Sequence, residues 1–134
     1  MTNTKPQFIS RQTVDASWFY LDLDPPLAVV CGGVERVHTD YCVDRSSIPY
    51  FAIELVAEGT GTVWLNANKY HLSPGSAFAY GPIVAHRIRN DSPIGMRKYY
   101  LDFVGSESVD LLSESGLLGG RPVMLQSVIE VSEL

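Results

Sequence analysis

Turn signals recur so often between Asp24 and Gly95 that no helix of ordinary length fits between them. They are Asp24-Pro25-Pro26, Gly32-Gly33, Ser46-Ser47-Ile48-Pro49, Glu58-Gly59-Thr60-Gly61, Asn66-Ala67-Asn68, Ser73-Pro74-Gly75, Gly81-Pro82 and Asn90-Asp91-Ser92-Pro93-Ile94-Gly95. Gly supplies positive φ, Pro presets φ, and Asn, Asp and Ser bond back to their own backbone, so each cluster reverses the chain for a stated reason. The intervals left over are strand-sized: residues 27–31, 40–44, 50–57, 62–65, 76–80, 85–89 and 96–103. Many short strands at near-regular spacing predict a mainly all-β, antiparallel sandwich or barrel.

With 134 residues, 46% of them hydrophobic and 19% charged, the chain holds one compact domain with a core and is not a disordered or collagen-like polymer. Its net charge of −5 repels a phosphate backbone, so any contact with DNA is expected from another segment. Cys31 and Cys42 fit neither a zinc knuckle nor a C-x-x-C redox pair. Free buried thiols are expected, with a disulfide between neighbouring strands as the alternative. The first seventeen residues lack an apolar signal-like stretch, and no run is long enough to span a bilayer. The expected location is therefore the cytoplasm, with no membrane partner.

Three regions are expected. Residues 1–17 are polar, with Phe8 and Ile9 after Pro6, and read as an N-terminal arm. Residues 18–105 form the barrel. Residues 106–134 read as helical: Ser106 is placed to cap a helix over 107–115, with Val109, Leu111 and Leu112 for burial and Gly116 as its stop. Ser127 and Glu130 then form a capping box that announces a second helix. The chain is thus expected to be the N-terminal part of something longer.

The chemistry concentrates between Tyr50 and Asn90. Alternation along 50–57 sets Phe51, Ile53 and Leu55 on one face and Tyr50, Ala52, Glu54 and Val56 on the other. Pro82, His86 and Asn90 resemble the second motif of the small β-barrel cupins. The blocks Asp44-Arg45, Glu58-Gly59-Thr60-Gly61, Leu72-Ser73-Pro74-Gly75, Gly81-Pro82 through His86, and Tyr100-Leu101-Asp102-Phe103-Val104-Gly105 follow one another as in the N-terminal sensor domain of AraC-type transcription regulators. The resemblance covers about residues 18–118. It implies a cupin-like double-stranded β-barrel, or jelly roll, with short C-terminal helices. It also implies a homodimer that binds a small-molecule effector and works through a C-terminal helix-turn-helix DNA-binding domain not contained in this chain.

Metal-dependent cupins hold their ion with an H-x-H pair, a Glu and a later His. Here no histidine lies between Arg45 and Pro49, and Ala52 or Glu54 falls where the Glu would be, so no metal or other cofactor is expected. His86 reads either as a barrel histidine packed on an aromatic ring or as a pocket group contacting a polar ligand. Arg45 matches the family's pocket arginine, whose guanidinium suits hydroxyls or a carboxylate; a salt bridge with Asp44 or Glu54 is its structural alternative. Tyr100 matches the family's aromatic at the closing strand and reads as a stacking surface or as core. Lys98 shares its face by strand alternation. Leu101 and Phe103, on the other face, are expected to meet the C-terminal helices. Trp64 and Tyr80 complete the candidate ligand-binding residues as pocket walls.

No nucleophile elbow, phosphate loop or dinucleotide fingerprint is present, so no enzyme is expected. Glu54, Glu58 and Asp102 could support acid/base chemistry only where folding unites two of them. The first reading is a regulatory domain binding a small polar effector such as a sugar. A stand-alone cupin enzyme, a metal-dependent isomerase or dioxygenase with His71 or His38 joining His86, is the alternative. A barrel that only dimerises is the third.

Overall fold

A computed structural model of the protein describes residues 25–125 and, as backbone, the strand Thr13–Trp18. Among the described residues ten strands and one helix follow in order: β1 Thr13–Trp18, β2 Ala28–Val37, β3 Cys42–Arg45, β4 Phe51–Glu58, β5 Gly61–Leu65, β6 Asn68–Leu72, β7 Ser76–Tyr80, β8 His86–Asn90, β9 Met96–Val104, α1 Ser108–Glu114 and β10 Val123–Met124. They form a six-stranded sheet, β1-β2-β9-β4-β7-β10, and a four-stranded sheet, β3-β8-β5-β6. Every pairing is antiparallel.

The main core lies between the sheets. Val37, Ala52, Val56, Phe78 and Met96 come from the six-stranded sheet and meet Val63, Leu65, Leu72 and Ile88 from the other. Each fully buried Val, Leu, Ile, Phe or Met here contributes about 1.5–3 kcal/mol. Strand alternation sets this directly. On β4, Ala52, Glu54 and Val56 face inward, while Phe51 and Ile53 pack outside with Phe103, Leu112 and Leu117. Phe103 thus meets α1 as expected, whereas Leu101 is 41% exposed.

Several boundaries differ from the sequence reading. Gly32-Gly33 is no turn but the middle of β2, with Gly32 and Gly33 paired to β1 on one side and to Leu101 and Tyr100 of β9 on the other. A side chain on Gly32 would sit 3.2 Å from Leu101 Cδ1 and from the Tyr100 carbonyl, so these glycines permit close strand approach instead of reversing the chain. Strand β6 was not expected. It arises because Asn66-Ala67 is a two-residue hairpin loop, with Leu65 paired to Asn68 and Asn66 at φ 55°. Tyr70 and Leu72 turn toward the core, and Asn68, Lys69 and His71 turn to solvent.

Helix α1 starts later than expected. Its cap is Glu107, which makes no side-chain capping bond, so Ser106 does not cap it. Val109 and Leu111 are 46% and 38% exposed, and among the three expected apolar residues only Leu112 is buried. Gly116 does end the helix, at φ +78°, with Leu117 N donating to the Leu112 carbonyl at 2.9 Å. The region expected to be wholly helical also contains β10, paired to Ala77 and Ser76. Strand β1 lies mostly within the expected arm and pairs with β2. The Phe8-Ile9 segment and the helix expected from Ser127 lie outside the described residues.

Candidate ligand-binding site

Between the sheets the apolar core gives way to a polar cluster. On β9 the inward positions are Met96, Lys98, Tyr100 and Asp102, and cross-strand register surrounds them. Glu35 of β2 pairs with Lys98, and Cys31 with Asp102. Glu54 of β4 pairs with Tyr100, and Ala52 with Asp102. Arg45 of β3 pairs with His86 of β8. Glu35, Tyr41, Arg45, Ile48, Glu54, Tyr80, Tyr100 and Asp102 line a cavity of about 10 Å³, the room of a single water molecule.

Lys98 is 0% exposed. Its Nζ donates to Glu54 Oε1 and, at 3.2 Å, to the Tyr41 hydroxyl. Burial alone would pull the ammonium down, but Glu54, Tyr41 and Glu35 together hold it well above its ordinary value. Burial likewise opposes ionisation of Glu54, and Lys98 overrides it, aided by the hydroxyl of Tyr80, which donates to Oε2; the carboxyl ends below its usual range.

His86 is stacked on Tyr80 with ring centroids 3.7 Å apart. Arg45 Nη1 lies 3.4 Å from His86 Nε2. A guanidinium can only donate, so Nε2 is the acceptor and the ring proton is assigned to Nδ1. Burial lowers the imidazole to about 4; the nearby Glu54 charge opposes the shift and Arg45 reinforces it. The ring is therefore neutral at physiological pH. Asp102 accepts from the Cys31 thiol at 3.1 Å, and burial raises its carboxyl to about 6 against that bond.

Five of the six expected ligand-binding residues come together here: Arg45, Tyr80 and Tyr100 on the cavity wall, with Lys98 and His86 bonded to or stacked on its lining. Trp64 does not join them. Val63 and Leu65 take the inward positions of β5, so alternation turns Trp64 to the outer face. There Arg87, Arg89 and Lys69 lie over its ring at 4.7, 5.1 and 5.7 Å. Of the three carboxylates considered for acid/base work, Glu54 and Asp102 share the cavity, while Glu58 pairs at the surface with Arg97 and Arg36.

Glu35 and Tyr41 were missed. Reading Gly32-Gly33 as a turn cut β2 short, so the alternation that sends both Glu35 and Val37 inward was not carried through. Tyr41 is placed by the loop before β3, where no periodicity operates. Among the described residues, no group of three or more His, Cys, Asp or Glu side chains could hold a metal ion. His38 and His71 are exposed, and Glu54 is engaged by Lys98 and Tyr80, so the ligand set of the enzyme alternative is not assembled. Both thiols are free; Cys31 is buried, but Cys42 is exposed, against expectation.

A larger groove of about 500 Å³ lies outside the barrel between α1 and residues 81–84, lined by Phe51, Pro82, Ile83, Leu112, Leu117 and Leu118 among others. It is apolar and carries no titratable group apart from Tyr80 at its edge. Among the described residues no helix is long and apolar enough to cross a membrane.

The model of the AraC-like ligand binding domain family matches residues 27–134. The chain belongs to that family. Solved structures similar to this AraC-like domain include YhaK from Escherichia coli, at 16% identity and TM-score 0.56, covering 68% of this chain. The chain spans only 44% of YhaK. A cupin 2 conserved barrel domain protein from Salinispora arenicola matches at 12% identity and TM-score 0.53, covering 86% of this chain and 98% of its own. The plu4264 protein from Photorhabdus luminescens matches at 13% identity and TM-score 0.52, covering 87% and 98% respectively. At these identities the likeness establishes the cupin fold for the AraC-like domain. No curated protein matches the chain.

Proposed function

We propose that this AraC-like domain is the regulatory part of a transcription regulator. In this reading it binds a small polar effector inside the barrel, dimerises, and controls a DNA-binding domain outside this chain. The family match supports ligand binding, and one observation favours the barrel interior as its place: several ionisable side chains are buried around one cavity where a small barrel ordinarily has only apolar core. Such groups are costly to bury. They are reasonable to retain where a polar ligand completes their bonding.

The cavity is smaller than a sugar, so binding requires a side chain to move. Arg45 is only half-buried and stands on the wall beside His86, which makes it the residue to swing aside and then close on the effector. Arg45 and the aromatic Tyr100 would contact it, and the neutral His86 would orient Arg45. Binding would act as a population shift, favouring one arrangement of the dimer over another. A non-enzymatic role fits the family and the engagement of Glu54 by Lys98.

A thermal-shift screen of sugars, sugar acids, amines and divalent metals, with and without chelator, tests this. A ligand at a hundredfold excess over its Kd adds about 2.7 kcal/mol of stability. The proposal expects chelator-insensitive stabilisation by an organic class, lost in Arg45→Ala and reduced in Arg45→Lys. Chelator-sensitive stabilisation by a metal would instead favour a cupin enzyme, and a flat screen with constitutive dimerisation would favour a barrel that only dimerises.

A further inference from the structure

Acidic side chains outnumber basic ones inside the barrel. Three carboxylates, Glu35, Glu54 and Asp102, line the cavity with one cation, Arg45, and Lys98 is the second, fully buried beside them. Lys98 gives its hydrogen bond to Glu54 and stands 3.9 Å from Glu35 Oε2, beyond hydrogen-bond reach. The Glu35 side chain is only 8% exposed. Its Oε2 has no hydrogen-bond partner among the described residues, so a buried acceptor on the cavity wall is left open.

Resting on the ligand-binding reading above, we propose that the barrel's ligand is a small organic cation with N–H donors, an amine or amino sugar, whose ammonium is received by Glu35 and Asp102. Arg45 considered alone suits a carboxylate equally well, but a ligand carboxylate would face three carboxylates across a low-dielectric gap. A neutral polyol can donate to Glu35 and leaves the charge uncompensated. An ammonium supplies both the donors and the charge. The groups around Glu35 are Lys98, Glu54, Tyr41 and Arg45; burial raises its carboxyl and Glu54 adds to the rise, while Lys98, a hydrogen bond with Tyr41 and Arg45 reverse it only in part. Asp102 is raised in the same way, first by burial and then by Glu54 and Glu35. Burial is the larger cause in both, and repulsion between the carboxylates adds to it.

The test uses matched probes on the whole chain at neutral pH: glucosamine, glucose and glucuronate, then ethanolamine, ethylene glycol and glycolate. The amine of at least one trio is expected to raise Tm by several degrees more than its neutral and acidic analogues, and Glu35→Gln to abolish that preference. Equal or greater stabilisation by the acid or the neutral analogue overturns the cation inference and leaves ligand binding standing. If no probe moves Tm, the unliganded variant decides. Glu35→Gln is expected to melt above the wild type at neutral pH, by a margin that narrows on acidification as Glu35 takes up its own proton. A variant that melts lower shows Glu35 to be a structural partner of Lys98 and overturns the proposal. A general failure of ligand binding is distinguished by a flat result across the wider screen as well.

Discussion

Replacing Lys98 by methionine tests the central electrostatic claim. The change keeps most of the side-chain volume and deletes the ammonium that bonds Glu54 and Tyr41. Lys98 and Glu54 are 0% and 3% exposed, so the screening that makes surface ion pairs weak does not apply. Removing one partner of a buried pair costs about 3–5 kcal/mol, because the other charge is left uncompensated. For a domain of this size each kcal/mol moves Tm by about 3–5 °C, so K98M is expected to melt about 9–25 °C below the wild type. Glu54→Gln leaves Lys98 with Tyr41 and the nearby Glu35 and is expected to cost about 1–3 kcal/mol. The double variant K98M/E54Q, lacking both charges, should be more stable than K98M. The pH dependence has a definite sign. Glu54 is held below its ordinary 4.5 by Lys98 against the effect of burial, so in the wild type its contribution is present above 4.5 and is lost as pH falls through its folded value. In K98M the opposition to burial that Lys98 supplies is gone and the Tyr80 bond remains, so Glu54 protonates more readily and the deficit should shrink on acidification. Differential scanning calorimetry of the four proteins reads all of this. A K98M variant melting within about 3 °C of the wild type, or a double variant less stable than K98M, would refute the reasoning.

Further outcomes are expected. The His86 ring, at about 4 instead of 6.5, should stay neutral in an NMR titration down to about pH 5, and its contribution to stability should be lost as pH falls from 6.5 toward 4; titration near 6.5 would contradict its burial on Tyr80. Gly105 lies at φ +126°, where a Cβ would come 2.2 Å from the Pro26 carbonyl oxygen, while Gly116 at φ +78° has nothing within 4 Å. Gly116→Ala should therefore cost about 1–2 kcal/mol and Gly105→Ala clearly more, and equal melting temperatures would show that the 105 turn yields. Of the two thiols, exposed Cys42 should react at once with a disulfide reagent. Cys31 should react only on unfolding, since burial and then the Asp102 charge push its thiol up; two fast equivalents would contradict this.

What the sequence determined by itself is what depends on neighbours along the chain. Turn residues, strand alternation and the Gly116 stop are local in origin, and they delimited most strands of the barrel and the end of α1. They also placed Lys98 and Tyr100 on one face of β9, because period-two alternation needs no partner. Glycine defeated that logic at Gly32-Gly33, where the same residue type serves close strand packing as readily as a turn. Only tertiary structure decided which inward residues meet. Arg45 and His86 lie 41 positions apart, and Lys98 and Glu54 lie 44 apart, and only the antiparallel register of different strands brings each pair together. Trp64 shows the converse. It is as aromatic as Tyr80, but one step of pleat sends it outside to three cations, while Tyr80 goes inside to Glu54 and His86. Whether a buried carboxylate is hydrogen-bonded by Lys98 or only held at ion-pair distance from it, as with Glu54 and Glu35, depends on distances of a few ångströms set by packing across both sheets.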